Sequence, residues 1–233
     1  MLSTIAASVQ AQTAEEFFDL GVRAYNKGDW DSAVENFSQS LTLNPNAAGF
    51  HNLGNSYAKL SKPGLARLNY ERARYLSPRT PEIRANLARV IKDSGDTRRN
   101  SIADTLFGEF SNSEWTWGVI AGAWGAILCF AIIPHFVKRA RFSKIFGAGF
   151  TIIFIFSISG YTYWSGVRNM AIAVSPDVLL RISPASKAPP SHAMSEAKSA
   201  KIIKRSGDYI LVEFPAKKFG WCNKELLTPI LPL

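Results

Sequence analysis

Two long apolar runs without a formal charge lie almost side by side near the middle of the chain, and they restrict the fold more than any other feature. No Lys, Arg, Asp or Glu occurs from Trp115 to Val137 or from Ile145 to Trp164. About 20 such residues let a helix cross a hydrocarbon core roughly 30 Å thick, and two adjacent runs of this length are rare in soluble folds. We therefore predict transmembrane helices at 115–137 and 145–164 rather than a buried helical hairpin of a soluble protein. Aromatic residues typical of lipid–water interfaces flank the two runs: Trp115, Trp117, Tyr161, Tyr163 and Trp164.

The short connection at 138–144 is strongly basic and predicts the orientation of this hairpin. Its four charged side chains are Lys138, Arg139, Arg141 and Lys144. Short loops rich in Lys and Arg stay in the cytoplasm. A hairpin with a cytoplasmic turn has both outer ends on the opposite side. We therefore predict a two-pass protein of a bacterial inner membrane, with the N-terminal and C-terminal modules both in the periplasm.

Small residues in the first run indicate close helix packing. Gly118 and Gly122 form a G-x-x-x-G motif, which lets two helix backbones approach each other. We predict that they pack within the hairpin, although homodimerisation or docking to another membrane protein remains an alternative. Glycines available for this contact in the second run are Gly147, Gly149 and Gly160. Pro134 is expected to bend or end the first helix, because its ring removes a backbone donor.

A repeat with an offset of 33 residues occupies the N-terminal part of the chain. The recurring pairs are Leu20-Gly21 with Leu53-Gly54, Ala33 with Ala66, Phe37 with Tyr70, and Pro45 with Pro78. This pattern resembles the tetratricopeptide repeat, in which small residues let the two helices of a repeat pack closely while aromatic residues fill the space between repeats. We predict a tetratricopeptide domain at 13–95, with repeats at 14–46 and 47–80. A helix at 81–94, which starts with Pro81, is predicted to cap the stack.

The first helices of stacked repeats line a concave groove, and we predict that this groove is the protein-binding site. The lining residues are Phe18, Val22, Tyr25, Asn26, Ala48, His51, Asn55 and Lys59. Apolar and polar groups are mixed, as in grooves that bind peptides. Phe18 and Val22 stand where the carboxylate clamp of chaperone-binding members needs polar groups. The predicted ligand is therefore a helix or an extended protein segment, not a chaperone tail.

Two connecting segments carry weaker signals. Residues 1–12 end in the small-x-small pattern Val9-Gln10-Ala11, but they are short and have no basic start. They are either the remainder of a signal peptide or a disordered N-terminus. Residues 96–114 are rich in polar residues and are predicted to form a linker into the membrane.

The C-terminal residues 170–233 predict a small β-barrel. Five short β-prone runs are separated by Pro, Ser, Gly and Lys: 171–174, 178–180, 201–203, 209–212 and 218–221. The segment Leu180-Arg181-Ile182-Ser183-Pro184 and the later Gly220-Trp221 are similar to bacterial SH3-like domains. Tyr209 and Trp221 are candidates for a groove that binds a peptide or a cell-wall glycopeptide. A structural role in the core is an equally good interpretation of both residues.

The sequence contains no motif that points to catalysis or metal binding. His51, His135 and His192 are far apart, and neither Cys129 nor Cys222 has a partner cysteine at metal-ligand spacing. Metalloprotease, phosphate-loop and nucleophile-elbow motifs are absent from the sequence. We predict a protein that is not an enzyme and that needs no cofactor.

The formal net charge of +9 raises the question of nucleic-acid binding. Much of the excess lies at 138–144 and at 168–225, where 10 basic side chains accompany 5 acidic ones. Charge beside membrane helices sets topology or meets anionic surfaces, and no nucleic-acid motif accompanies it. We therefore predict no nucleic-acid partner.

The predicted fold class is a multi-domain chain of an α-helical repeat stack, a two-helix transmembrane hairpin and a small SH3-like β-barrel. This order resembles the BatE-type proteins of the Bacteroides aerotolerance (Bat) system. The resemblance implies partners among von Willebrand factor A-type membrane proteins and a MoxR-type ATPase, in a complex for envelope or oxidative stress tolerance. The alternative is a cell-wall sensor whose SH3-like domain binds peptidoglycan.

Overall fold

The computed structural model describes residues 13–96, 102–136, 141–214 and 217–231. The predicted signal-peptide remainder at 1–12 lies outside the described residues. Lys138 and Arg139 of the predicted cytoplasmic loop also lie outside them.

Five helices of similar length form the N-terminal part of the structure. They are α1 (Ala14–Lys27), α2 (Trp30–Leu43), α3 (Ala47–Lys59), α4 (Pro63–Leu76) and α5 (Pro81–Ser94). The side chain of Thr13 accepts the backbone N–H of Glu16, whose carboxylate accepts the N–H of Thr13, so a capping box starts α1. Gly28 ends α1 with a φ of 80°, a conformation that favours glycine. These local signals fix where the first helix starts and stops.

The two glycines of the repeat allow the helices of each pair to touch. A Cβ atom on Gly21 would lie 2.7 Å from the ring of Phe37, and one on Gly54 would lie 2.6 Å from the ring of Tyr70. Ala33 is fully buried beside Phe37. The predicted helical repeats are therefore confirmed, and the predicted large and small residues pack against each other within each repeat.

Two further helices are long and apolar enough to cross a membrane. The first, Asn112–Phe136, consists of α7 (Asn112–Ile127), a π-helical turn (Leu128–Ile132) and α8 (Ile133–Phe136), and the second is α9 (Arg141–Arg168). Only 11% and 17% of their most apolar windows are buried, unlike the core helices of a soluble protein. We call these two helices the apolar hairpin. Arg141 and Lys144 were predicted in the loop but lie in the first turns of α9. The helix that contains the second apolar run starts four residues before that run.

Five glycines of the apolar hairpin contact its other helix: Gly118, Gly122, Gly125, Gly147 and Gly160. A Cβ on Gly122 would lie 2.8 Å from the backbone of Phe154, and one on Gly147 would lie 2.7 Å from the ring of Phe130. Nothing lies within 4 Å of the corresponding position on Gly149, which was predicted to take part. Near Pro134 the helix widens, since the N–H of Ile133 donates to Leu128, five residues back. Packing within the hairpin therefore accounts for the G-x-x-x-G motif.

The C-terminal part is an antiparallel sheet of seven strands in the order β3-β2-β6-β5-β4-β1-β7. The strands are β1 (Met170–Ala173), β2 (Asp177–Arg181), β3 (Pro190–Ser195), β4 (Ser199–Ser206), β5 (Tyr209–Phe214), β6 (Lys218–Asn223) and β7 (Leu227–Pro229). Four of the five predicted runs lie within strands, and the run at 171–174 extends one residue beyond β1. The sequence did not predict β3 or β7, each of which has a proline at one end.

The prediction of a closed barrel is wrong, because the sheet stays open at the β7 edge. There the guanidinium of Arg72 on α4 donates to the carbonyl of Ile230 at 2.7 Å and to that of Pro229 at 3.4 Å. These carbonyls lie at the end of β7, which is an edge strand of the sheet. Pro229 itself has no N–H to donate. A helix of the repeats thus covers the edge that a barrel would have closed.

The repeats, the apolar hairpin and the sheet meet in one hydrophobic cluster. In β1, Ala171 and Ala173 face the core of the sheet, whereas Ile172 packs in a second cluster with Leu68 of α4 and Trp164 of α9. Arg74 of α4 pairs with Asp104 at 3.0 Å and donates to the hydroxyl of Tyr163 at 3.1 Å. The repeats and the sheet therefore both pack on the end of the apolar hairpin formed by the start of α7 and the end of α9.

A buried polar junction joins α4 to the sheet. It is formed by Gly64, Arg67, Asp96, Glu196 and Ser199. Arg67, fully buried, donates to Asp96 at 2.7 Å and also to the carbonyl of Ala197. Asp96 accepts the backbone N–H and the hydroxyl of Ser199 at 2.9 and 2.5 Å. The N–H of Gly64 donates to Glu196 at 2.9 Å.

The segment predicted as a linker, 96–114, differs from a free connection wherever it is described. Asp96 is buried in the junction, and α6 (Ile102–Phe107) and the first turn of α7 lie in the same segment. The indole N–H of Trp164 donates to the carbonyl of Phe110 at 2.6 Å. The polar residues of this segment bond to the rest of the protein, which a composition rich in polar residues does not reveal.

Candidate protein-binding face

The predicted concave face is divided into two groups of contacts. One group lies between α3 and α5 and contains His51 and Asn55. The other lies near the turn between α1 and α2 and contains Tyr25 and Lys59. Asn26 is exposed beside the second group, whereas Phe18 and Val22 are half-buried against the core of the first repeat.

A network of hydrogen bonds links the first group to α5. The side-chain amide of Asn86 donates to Asn55 and lies 3.0 Å from Nε2 of His51. The hydroxyl of Tyr70 donates to the same oxygen of Asn55 at 2.8 Å. With this orientation of the amide, Nε2 of His51 accepts a hydrogen bond, so the imidazole is neutral and carries its proton on Nδ1. We call these four residues the amide network.

Burial keeps the titratable members of the amide network uncharged. It lowers the pKa of His51 below the ordinary value of 6.5, although Glu82 partly offsets this effect. It raises the pKa of Tyr70 to about 12. Neither His51 nor the buried Tyr70 therefore adds a charge to the face at this position.

The stability of the protein is expected to fall as the pH drops below 6.5, with part of this loss due to His51. Since the pKa of His51 is lower in the folded state than in the unfolded state, the unfolded chain binds more protons between the two values. The contribution is fully present above pH 6.5 and is lost towards the folded pKa. Thermal melting from pH 8 to pH 5 should show a smaller loss for His51→Gln than for the wild type. Parallel pH profiles for the two proteins would contradict this assignment.

The second group combines aromatic rings with a cation. The rings of Tyr25 and Trp30 meet edge to face with their centroids 4.7 Å apart. The ammonium of Lys59 lies 5.6 Å from the centroid of Trp30, within the range of a cation–π interaction. This corner offers a partly apolar surface with one positive charge.

Sequence reasoning missed three residues that build this face: Trp30, Tyr70 and Asn86. Tyr70 was predicted only as an aromatic residue that packs between the repeats. Asn86 has a recognisable signal, because it lies between Ile83 and Leu87 on the apolar side of α5, where a polar side chain needs a partner. Its partners are on α3, and a helix pattern alone does not identify them.

The second pair of predicted site residues, Tyr209 and Trp221, lies on the sheet. Trp221 is opposite Leu211 in β5 and opposite Arg181 in β2, and both predicted residues are half-buried. Their positions in register put them on the same face of the β5–β6 pair. The neighbouring Cys222 points into the core instead, and burial raises the pKa of its thiol to about 11.

Gly220 allows the two parts of the C-terminal motif, Leu180–Pro184 and Gly220-Trp221, to lie side by side. A Cβ on Gly220 would lie 2.6 Å from the Cβ of Leu180. Glycine therefore allows β6 to approach β2 where Arg181 and Trp221 pair.

Residues 14–47 match the family model of the tetratricopeptide repeat. This match covers the first repeat, which contains α1 and α2. No curated protein matches the sequence of the chain. Repeats of this class act typically as scaffolds for protein–protein interaction and bind partners on extended concave surfaces. The helical part of this protein thus contains a tetratricopeptide repeat.

Proposed function

We propose that the protein is a membrane-anchored scaffold without enzymatic activity, and that it binds a segment of another protein on the concave face of its repeats. The observation that carries this proposal is the face itself. It combines the neutral amide network with the corner formed by Tyr25, Trp30 and Lys59. Such a surface can bond to a peptide backbone and bury apolar side chains without supplying a reactive group.

The apolar hairpin is proposed to anchor this scaffold in a bacterial inner membrane. The basic residues around its turn favour a cytoplasmic turn, according to the positive-inside rule. Contacts of both modules with the opposite end of the hairpin support a common location for them, on the periplasmic side. The junction between α4 and the sheet supports the same conclusion, since two bonded modules cannot lie on different sides of a bilayer.

The order of the modules favours a role in a Bat-type complex for envelope or oxidative stress tolerance. In that role the concave face would bind a von Willebrand factor A-type membrane protein, and a MoxR-type ATPase would act on the cytoplasmic side. Hydrogen bonds between the repeats and the sheet hold these two modules together, which suits a protein that binds partners at the membrane surface.

Cross-linking on spheroplasts with a membrane-impermeant reagent tests the proposal. A tagged wild-type chain is expected to capture a von Willebrand factor A-type membrane protein. Asn26→Arg adds a bulky side chain to the exposed part of the concave face and should reduce this capture at least tenfold. The substitution leaves all lysines in place, so the chemistry of cross-linking is unchanged.

Gln39→Arg is the matched control, because Gln39 is exposed on α2, outside the predicted face. It should capture the partner as well as the wild type does. Equal capture by all three chains would argue against the concave face as the binding site. Capture that requires a membrane-permeant reagent would argue against the periplasmic location.

A second candidate function is a cell-wall sensor that binds peptidoglycan through the sheet. The favouring observation is the half-exposed Trp221 beside the exposed Phe219 on β6. Aromatic faces of this kind stack on sugar rings. Recovery of wall fragments by the wild type but not by Trp221→Ala, with no effect of Asn26→Arg, would favour this function over the scaffold.

A further inference from the structure

Helix α5 is built as the first helix of a third repeat, not only as a cap. The helices α1, α3 and α5 are each followed by a residue in the left-handed conformation, at intervals of 33 and 34 residues. These residues are Gly28, Ser61 and Gly95, with φ of 80°, 56° and 63°. The residues that precede the three helices keep the same intervals and are Thr13, Asn46 and Thr80. The repeat therefore continues in register through α5.

The same register identifies the surface of α5 that a second helix would cover. Gly21 of α1 touches Phe37 of α2, and Gly54 of α3 touches Tyr70 of α4. The corresponding residue of α5 is Ala88, which is exposed. In the first two repeats this position is buried by the repeat's own second helix.

The residue of this chain that would cover Ala88 is bonded elsewhere. Asp104 follows Tyr70 by 34 residues, so it occupies the repeat position that Phe37 and Tyr70 have in the first two repeats. Its carboxylate pairs with Arg74 at 3.0 Å and accepts the hydroxyl of Tyr163. The short α6 around it packs on the apolar hairpin, with the rings of Phe107 and Phe156 5.3 Å apart. A groove of about 460 Å³ lies between α5 and α6.

The groove has the shape and the chemistry of a site for one helix. Its α5 wall includes Arg84, Ala88 and Ile91, which form a single helix face about 11 Å long. Gly95, directly after α5, also lines the groove. The small residues at 88 and 95 permit close approach of another backbone. An ion pair between Arg84 and Glu109, 2.6 Å apart, bridges the two walls at one end.

The charges of the groove indicate one feature of its ligand. All three carboxylates in its walls have cationic partners: Asp96 with Arg67, Asp104 with Arg74, and Glu109 with Arg84. Lys92 also lines the groove, and none of the ion pairs among the described residues involves it. An acidic side chain on a bound helix would complement it.

We propose that this groove binds an α-helix of another protein, which completes the third repeat in trans. The helix places an aromatic side chain over Ala88, as Phe37 and Tyr70 do over Gly21 and Gly54, and an acidic side chain near Lys92. Because the α6 wall packs on the end of the apolar hairpin, the bound helix belongs to the membrane-proximal part of its protein. The site differs from the concave face, so it extends the proposed scaffold to a second partner surface.

A titration of the full chain in detergent with a helical peptide tests this site. The probe is a fluorescently labelled, hydrocarbon-stapled peptide with the sequence of α2, Trp30–Leu43, because α2 already fits the equivalent surface of α1. Fluorescence anisotropy should show saturable binding to the wild type. Ala88→Arg fills the groove and is expected to weaken binding at least tenfold. A peptide with Phe37→Asp, which imitates Asp104, should bind more weakly by a similar factor.

Ala85→Arg is the matched control, since Ala85 is exposed on the same helix but does not line the groove. It should bind the peptide as the wild type does. The absence of saturable binding, or equal binding by Ala88→Arg and the wild type, would overturn the proposal. Self-association of the wild type that Ala88→Arg abolishes would show that a second copy is the occupant and would also overturn it.

The outcome is separable from that of the proposed function. Asn26→Arg alters the concave face and should leave peptide binding unchanged. Normal peptide binding together with failure of the cross-linking experiment would reject only the function assigned to the concave face. Loss of peptide binding with intact cross-linking would reject only the helix site.

Discussion

Replacing Asp96 with alanine is expected to lower the free energy of unfolding by about 3–5 kcal/mol, the usual effect of removing one partner from a buried ion pair. The side chains of Asp96 and Arg67 are 2% and 1% exposed. Without the carboxylate, the buried guanidinium loses its 2.7 Å partner and keeps the longer pair with Glu71 at 3.8 Å. The backbone N–H and hydroxyl of Ser199 also lose their acceptor. Urea unfolding in detergent, followed by tryptophan fluorescence, measures the loss.

Asp93→Ala controls for the removal of a carboxylate at the end of α5, because Asp93 is exposed. Its effect should lie within about 0.5 kcal/mol of zero, as for most surface substitutions. Asp96→Asn keeps an acceptor for Ser199 but removes the charge opposite Arg67, so it should have an intermediate effect. If Asp96→Ala were no more destabilising than Asp93→Ala, the junction would not be a stabilising element.

Replacing Gly64 with alanine is expected to destabilise the protein by about 1–3 kcal/mol, the range for overpacked sites, although the same change usually stabilises a helix by about 1 kcal/mol. The added methyl would meet the carbonyl of Ala173, and it would lie 2.8 Å from Cα of Val174 and 2.9 Å from Cγ of Glu196. Two of these atoms belong to the backbone of β1 and its end, and the third belongs to the acceptor of the Gly64 N–H. The helix and the sheet therefore have to separate.

Gly166→Ala is the matched control for this substitution. Gly166 lies in the last turn of α9 with nothing within 4 Å of its Cβ position. The control should leave urea unfolding unchanged or shift it towards greater stability. A gain of stability in Gly64→Ala as well would mean that the contact between α4 and β1 does not form.

Much of the helical architecture followed from the sequence, because the signals involved are local. An uncharged run of about 20 residues predicts a helix of that length without any information about the rest of the chain. The spacing of Gly21 and Phe37, repeated at Gly54 and Tyr70, reports packing between consecutive helices. The run of β-prone residues at 209–212, which lies in β5, is equally local. Strands β3 and β7 were missed because a proline at one end is a turn signal as well.

The candidate site could be predicted only in part. Tyr25, His51, Asn55 and Lys59 were identified because the first helix of each repeat lines the concave side. Their contacts depend on Trp30, Tyr70 and Asn86, which lie on other helices. Phe18 and Val22 satisfy the same spacing but, like Tyr25, are half-buried against the core of the first repeat, whereas Lys59 is exposed. The helix period does not distinguish these two environments.

The sequence by itself determined the helical repeats, the two long apolar helices and most of the strands. The formation of these elements depends on residues that are close together in the chain. The tertiary structure alone decided that the sheet stays open and that the polar segment at Asp96 is buried. The physical reason is the length of chain between the groups that interact. Arg67 bonds to residues 29 and 130 positions away, and Arg72 bonds to the sheet edge 158 positions away. In the sequence, each arginine is indistinguishable from an ordinary polar helix residue. Only the tertiary structure places its acceptors next to α4.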